Sequence, residues 1–173
     1  MFGKSPVKID KKFWINLVCF ILGGILLIYL YSKYRIAPDI HFSELEIKNT
    51  SGQPVHISGY KGKVVVINFW QTWCGPCCHE MSSIEFAKEN TDSTKISFIA
   101  ITDEAAGKIE SFKEEKNYTF DFFQSVKTLK QLGINTYPTT YILGANGKVV
   151  MTKIGEVDWS LPQNLNQLKG IAQ

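Results

Sequence analysis

The stretch VVVINFWQTWCGPC, residues 64–77, decides the fold of this chain. Its first half, residues 64–70, is continuously apolar apart from Asn68 and rich in β-branched side chains, which predicts a strand buried on both faces. From Pro76 to about Asn90 the pattern becomes helical, and proline suits a first helical turn because no N–H is needed there. The sequence therefore predicts two cysteines at the point where a buried strand gives way to a helix.

This position predicts redox chemistry at Cys74 and Cys77. A helix N-terminus carries unpaired N–H groups and about half a positive charge. That field stabilises the thiolate, which is the nucleophilic form of a cysteine. We expect Cys74 to be the more exposed sulfur, which attacks a partner disulfide, and Cys77, one turn further in, to resolve the mixed disulfide. Cysteines three residues apart in a helical turn are close enough to form a redox-active disulfide.

The other cysteines and a histidine leave alternatives open. Cys19 lies in an apolar run, Cys78 points to another helix face than Cys77, and His79 is interpreted as a surface or rim residue. A metal site built from this cluster would use one compact segment, whereas closed zinc sites usually take ligands from two places. We therefore expect no metal and no cofactor, but a non-catalytic metal carrier that uses Cys74, Cys77 and His79 remains a competing hypothesis.

The rest of the chain predicts an α/β domain with a mixed central sheet and helices on both faces. An extended entry segment or first strand is expected at 41–47, a turn at 49–52 and a second strand at 53–57. The later elements are a strand at 96–101, a helix at 104–116, an apolar segment at 120–123, a short helix through Val126, Leu129 and Leu132 ending at Gly133, a strand at 139–143, a hairpin turn at Asn146-Gly147 with a returning strand at 148–154, and an amphipathic helix through Leu161, Leu165, Leu168 and Ile171.

Composition excludes some classes of function. The 173 residues are 45% hydrophobic and 20% charged, which is ordinary for a folded protein. The formal net charge is +3 and the basic residues are spread along the chain, so no nucleic-acid partner is expected.

An apolar run near the N-terminus, Phe13 to Tyr31, predicts a transmembrane anchor. Nineteen helical residues span about 28 Å, close to the roughly 30 Å of a bilayer's hydrocarbon core. A cleavable signal peptide is the main alternative, but the run is long for one and lacks a clear small-residue cleavage site. We predict a short cytoplasmic N-terminus at 1–12, the anchor at 13–31, a linker at 32–38 and a globular domain at 39–173.

The flanking charges predict the orientation of this anchor. Four lysines, at positions 4, 8, 11 and 12, precede the run, while Lys33 and Arg35 follow it closely. The positive-inside bias favours a cytoplasmic N-terminus and an exported domain. The predicted location is therefore the cell membrane, with the domain on the extracytoplasmic face and lipid around the helix.

Several motifs together resemble the thioredoxin superfamily, and more narrowly the TlpA/ResA-like membrane-anchored thiol-disulfide oxidoreductases. They are the segment from Gly62 to Cys77, the pair Glu80-Met81, residues 137–143 (YPTTYIL) and the Asn146–Val149 hairpin. The resemblance implies a thioredoxin-like fold. It also implies a cis peptide bond before Pro138, a substrate-binding surface and a functional acidic residue, Glu80, that tunes thiol pKa or moves protons. The implied substrate-binding residues are Trp73, Gly75, Pro76, Tyr137 and Pro138.

One position departs from part of the superfamily: Asn68 stands where cytoplasmic thioredoxins carry a buried aspartate. An amide cannot accept a proton, so that task would pass to Glu80 or to water. A solvated helix carboxylate is the alternative interpretation of Glu80.

The resemblance implies a reductase of disulfides in exported proteins, with apocytochrome c among the possible clients and a membrane thiol carrier as the electron donor. A disulfide-forming oxidant is the alternative within the same chemistry. A peroxidase is less favoured, because the chain contains no Pro-x-x-x-Thr-x-x-Cys arrangement.

Overall fold

The computed structural model describes residues 11–33 and 37–173, and the chain divides into two compact units at residues 36 and 37. The first unit contains helix α1, Lys11–Lys33. Within it, the 20-residue segment Lys11–Leu30 is long and apolar enough to cross a membrane, and its apolar stretch is not buried. The predicted anchor at 13–31 lies inside α1. Most of the predicted N-terminal segment 1–12 and part of the linker 32–38 lie outside the described residues.

The second unit is built on a seven-stranded mixed sheet in the order β2-β1-β5-β4-β3-β6-β7. Strands β3, β4 and β5 are parallel, and the outer strands pair antiparallel with their neighbours. The strands are β1 Ile47–Lys48, β2 Pro54–Val55, β3 Val64–Phe69, β4 Ile96–Thr102, β5 Asp121–Ser125, β6 Thr139–Leu143 and β7 Val149–Ile154, and the helices are α2 Gly75–Glu89, α3 Ala106–Lys116 and α4 Pro162–Ile171.

The handedness of the connections between parallel strands decides on which face of the sheet the helices lie. The chain steps from β3 to β4 to β5 in one direction across the sheet, through α2 and then α3. Because parallel crossovers are right-handed, both helices come to the same face. Met81 and Ile84 of α2, Ile109 of α3 and Leu168 of α4 all join one buried cluster there, against Val66 of the sheet.

The opposite face of the sheet is covered by shorter elements. Ile67, Phe69 and Tyr141 pack there with Phe42 and Ile57, which belong to the 3-10 helices Phe42–Glu44 and Ile57–Tyr60. The entry segment that was expected to be a strand or extended is thus a 3-10 turn followed by the two-residue strand β1.

The short helix expected at 126–132 is not formed, and this prediction was wrong. Leu129 is fully buried but Val126 is half exposed, so the apolar spacing does not mark one helical face. After a single turn, Ile134 N–H bonds to Leu129 O and Gly133 N–H to Lys130 O. Gly133 has φ +82°, and a Cβ there would lie 2.9 Å from Pro38, so this glycine closes the turn at once.

Candidate active site

The cysteine pair lies where β3 ends and α2 begins. Cys74 is the N-cap residue of α2, and Pro76 lies in its first turn. Cys74 and Cys77 form a disulfide with their Cα atoms 5.2 Å apart, and the backbone N–H of Cys77 donates to Cys74 Sγ at 3.3 Å. Cys74 is 6% exposed and Cys77 fully buried. An N–H group of the first helical turn thus points at the sulfur of Cys74, and this arrangement stabilises a thiolate.

The strand register brings a second segment to this edge of the sheet. Strand β6 runs antiparallel to β3 and pairs Thr139 with Phe69. Pro138, one residue earlier, therefore lies at the edge from which the cysteine segment leaves. The Tyr137–Pro138 peptide bond is cis. Trp73 is 68% exposed, and its ring packs edge-on against Tyr137 with the centroids 5.8 Å apart.

Glu80 lies one turn beyond Cys77, and its side chain is buried rather than solvated, with 1% of its surface exposed. Three donors surround its carboxyl group. Trp159 Nε1 donates to Oε1 at 2.7 Å, Thr140 Oγ1 lies 3.5 Å from Oε1, and Asn68 Nδ2 donates to Oε2 at 3.2 Å. The alternative of a solvated helix carboxylate is therefore wrong.

This environment makes Glu80 titrate near neutral pH. Burial, with a smaller contribution from the negative charge of Glu156, raises its pKa from an ordinary 4.5 to about 7. The hydrogen bonds from Trp159, Asn68 and Thr140 oppose burial but do not cancel it. A carboxyl group with a pKa near the ambient pH can both accept and return a proton.

A second carboxylate holds the segment that precedes the cysteines. Glu104, just after β4, accepts the backbone N–H of Thr72 at 2.6 Å and its hydroxyl at 2.9 Å, and it pairs with Lys108. Asp103 next to it accepts Gln71 Nε2 at 2.5 Å. Since parallel strands β3 and β4 end at one edge, their following loops are neighbours and these bonds fix the path into Cys74.

The remaining candidates lie around the helix. Cys78 is half-buried and its thiol donates to Thr72 O at 3.4 Å, while burial raises its pKa and so keeps it protonated. His79 is exposed. Within residues 11–33 and 37–173, no group of three or more His, Cys, Asp or Glu side chains is arranged to hold a metal ion. The metal-carrier hypothesis thus gains no support from these residues.

Sequence reasoning missed several residues of this site. Trp159 is a lone tryptophan in the polar loop between β7 and α4, and it is only 1% exposed. Thr140 belongs to the motif at residues 137–143, but the motif alone assigns it no role. Glu104 follows a buried strand that is parallel to β3, and this placement was the available signal for it.

Comparison with known proteins agrees with the thioredoxin-like fold and with thiol-disulfide chemistry. Residues 36–152 match the model of the AhpC/TSA family. The thioredoxin-like protein YneN of Bacillus subtilis is 33% identical over 158 residues, which cover 78% of this chain and 89% of that protein. The thiol-disulfide oxidoreductase ResA of the same organism is 27% identical over 158 residues, 82% of this chain and 88% of that protein.

The solved structures include the crystal structure of StoA from Bacillus subtilis, which matches with a TM-score of 0.58 and 24% identity over 74% of this chain and 95% of that one. This likeness shows the thioredoxin-like fold. The relatives named thiol-disulfide oxidoreductases, taken with the fold, make this protein an enzyme of that kind. Because the family model covers more than half of its length, the chain belongs to the AhpC/TSA family.

Proposed function

We propose that this enzyme reduces disulfides of exported proteins on the extracytoplasmic face of a membrane, through Cys74 and Cys77. The observation that carries the exchange chemistry of this proposal is the buried carboxyl group of Glu80, which lies one helical turn beyond Cys77 and whose pKa burial raises to about 7. Resolution of a mixed disulfide needs a base for a buried thiol at neutral pH. Cys77 would be the buried thiol, and Glu80 would be its base.

The first step is attack by the Cys74 thiolate on one sulfur of a client disulfide. A bond forms between that sulfur and Cys74 Sγ, and the second client sulfur leaves as a thiolate that takes a proton from water. The N–H of Cys77, which lies 3.3 Å from Cys74 Sγ in the disulfide state, favours the thiolate before attack.

The second step resolves the mixed disulfide. The Cys77 thiol passes its proton to the Glu80 carboxylate, and the resulting thiolate attacks Cys74 Sγ. The Cys74–Cys77 disulfide forms, the client's first sulfur leaves and takes the proton, and two electrons have moved from the enzyme to the client. A membrane thiol carrier would then return two electrons to the enzyme.

Client binding is assigned to the rim around Cys74. Trp73, Gly75 and Pro76 are exposed beside it, and Tyr137 packs on Trp73 ahead of the cis bond to Pro138. An exposed aromatic side chain beside Cys74 suits an extended client segment, which would use main-chain hydrogen bonds for affinity. Apocytochrome c is one such cysteine-bearing client that the family resemblance suggests.

The location rests on helix α1. Residues 13–30 are apolar apart from Asn16 and would contact lipid, and the excess of lysine before the helix favours an N-terminus in the cytoplasm. A membrane-impermeant thiol reagent applied to intact cells tests this orientation. Labelling of reduced Cys74 before lysis supports export, and labelling only after lysis overturns it.

Trapping tests the order of attack. A Cys77→Ser enzyme should accumulate client proteins in mixed disulfides through Cys74, because the resolving thiol is absent. Cys74→Ser, its matched control, should trap none. If Cys77→Ser traps no client, or if both variants trap equally, the assigned order is wrong.

Redox potential tests the direction of electron flow. The Gly-Pro pair between the cysteines resembles that of reducing thioredoxins, whose reduction potential is about −270 mV, whereas that of a strong oxidant is about −120 mV. Equilibration of Cys74 and Cys77 with glutathione buffers measures the value. A result near the oxidant's potential would replace the reductase proposal with disulfide formation.

A further inference from the structure

The buried carboxyl group of Glu80 is held by a side chain from a distant part of the chain. Trp159, in the loop between β7 and α4, directs its indole N–H to Glu80 Oε1 at 2.7 Å. Both side chains are 1% exposed, so water does not compete with this bond. The backbone of the same loop is tied to α2, because Trp159 N–H donates to Ser83 Oγ at 3.1 Å and that hydroxyl also lies 2.8 Å from Glu80 O.

The three donors around Glu80 are not chemically equivalent. An indole N–H can only donate, whereas the hydroxyl of Thr140 and the amide of Asn68 can each either donate or accept. Trp159 therefore favours the charged carboxylate in every arrangement. Thr140 and Asn68 can adapt to either protonation state of Glu80.

Asn68 has the atom needed for the protonated state. Its Nδ2 donates to Glu80 Oε2 at 3.2 Å and to Thr140 Oγ1 at 2.8 Å. Its Oδ1 is buried and accepts no hydrogen bond from the residues that the structure describes. Rotation of this amide by half a turn would present Oδ1 to Glu80, where it can accept the proton of a neutral carboxyl group.

We propose that Trp159 is the positioning residue of the proton-transfer step: its indole N–H fixes Oε1 of Glu80 and keeps the charged form accessible, while the Asn68 amide turns to follow the proton. The inference rests on the proposed function, in which Glu80 takes the proton of Cys77. It adds that the loop between β7 and α4 sets the working pH of that step.

The neighbours of Glu80 allow this effect to be isolated. Strands β3 and β6 face it with Asn68 and Thr140, which do not titrate. Among the described residues, Glu156 in the Trp159 loop is a charged group that acts on the pKa of Glu80, and the cysteine pair lies one turn earlier on α2. Loss of one hydrogen bond to the charged form should raise the Glu80 midpoint by about one pH unit.

The chain offers a matched control for removing an indole N–H. Trp70 is fully buried, and its Nε1 has no hydrogen-bond partner among residues 11–33 and 37–173. Trp159→Phe and Trp70→Phe therefore make the same change of ring in a buried site, but only the first removes a hydrogen bond to Glu80. If Trp159→Phe does not fold, β-(3-benzothienyl)alanine at position 159 keeps the ring shape and replaces N–H by sulfur.

The test uses the full chain in detergent micelles and an aromatic disulfide, dithiobis(nitrobenzoate), as the probe. Attack by Cys74 releases the first coloured thiolate and resolution by Cys77 releases the second, so the two steps are read separately. Carbon-13 NMR of the glutamate carboxyl groups, assigned with Glu80→Gln, gives the protonation midpoint of Glu80 directly.

For Trp159→Phe we expect the protonation midpoint of Glu80 to rise by about one pH unit. The charged fraction of Glu80 at pH 7 then falls from about one half to about one tenth, so the second release should slow about fivefold at pH 7 and recover by pH 9. The first release should not change, and Trp70→Phe should match the wild type in both readouts. An unmoved midpoint in Trp159→Phe, or an equal shift in Trp70→Phe, overturns the inference. If Glu80→Gln leaves the second release unchanged, the proposed role of Glu80 fails instead, and the NMR midpoint still decides what Trp159 does.

Discussion

Two glutamates flank the active-site segment, and their surroundings move their pKa values in opposite directions. Glu80 on α2 is almost fully buried among neutral donors, and burial raises its pKa to about 7. Glu104 after β4 is also partly buried, but the bonds from Lys108 and from the N–H and hydroxyl of Thr72 outweigh burial and lower its pKa.

The difference shows how one residue type serves two purposes around one site. A carboxylate that binds a cation and a backbone N–H stays charged and acts as a fixed anchor, here for the loop that enters Cys74. A carboxylate whose partners are neutral and whose surroundings exclude water exchanges its proton near pH 7. Glu80 is thus suited to chemistry and Glu104 to positioning.

The largest effect is expected from Glu80→Gln, which removes the proton acceptor and keeps the shape. Turnover of a protein disulfide should fall by about 10²- to 10⁴-fold, the usual contribution of a general base, and the rise in rate around pH 7 should disappear. Insulin reduction followed over pH 5–9 measures this. Glu89→Gln, an exposed position on the same helix, is the control and should retain the wild-type rate.

The next effect concerns stability against pH. The pKa of Glu80 in the folded chain, about 7, exceeds its ordinary 4.5. A raised pKa means that the group's stabilising contribution is full below pH 4.5 and is lost as pH rises through 7. Relative to Glu80→Gln, the wild type should therefore lose about 3 kcal/mol of unfolding free energy between pH 4 and pH 8. Urea denaturation of both proteins at several pH values would show it, and parallel curves would contradict it.

Glu104→Ala tests the other half of the comparison. Loss of the bonds to Thr72 leaves a partly buried N–H without its acceptor, which should cost about 1–3 kcal/mol and loosen the path into Cys74. The pKa of Glu104 is lowered, so this stabilisation is present above pH 4.5 and disappears as pH falls further. Glu104→Gln should recover part of the loss, because its amide oxygen still accepts. A loss that persists unchanged below pH 3 would contradict the assignment.

The cysteine pair, its strand-to-helix setting and the cis bond at Pro138 could be predicted because each depends on local sequence or on a specific motif. The type of sheet, a mixed one, could also be predicted, because buried strands alternate with helical patterns along the chain. The helix expected at 126–132 could not be excluded in advance, because the spacing of apolar residues does not reveal that the turn must end at Gly133, next to Pro38.

The surroundings of the site could not be predicted in the same way. Asn68, Thr140 and Trp159 are far apart in the chain and meet Glu80 only after β3, β6 and the β7–α4 loop have packed on α2. A helical pattern places Glu80 one turn after Cys77 but does not say whether that face is buried. Burial decides the pKa, and it is a property of tertiary packing.

The smallest effect is expected at Cys78, which shares Thr72 with Glu104. Its thiol donates to Thr72 O at 3.4 Å, and a serine hydroxyl can replace that bond. Cys78→Ser should therefore change stability by less than about 0.5 kcal/mol and turnover by less than about twofold. Mass spectrometry of the wild type during turnover should find Cys78 reduced while Cys74 and Cys77 cycle. If Cys78→Ser instead slows turnover as Cys77→Ser does, the active site uses a third sulfur, and the Thr72 contact marks a redox position rather than an anchor.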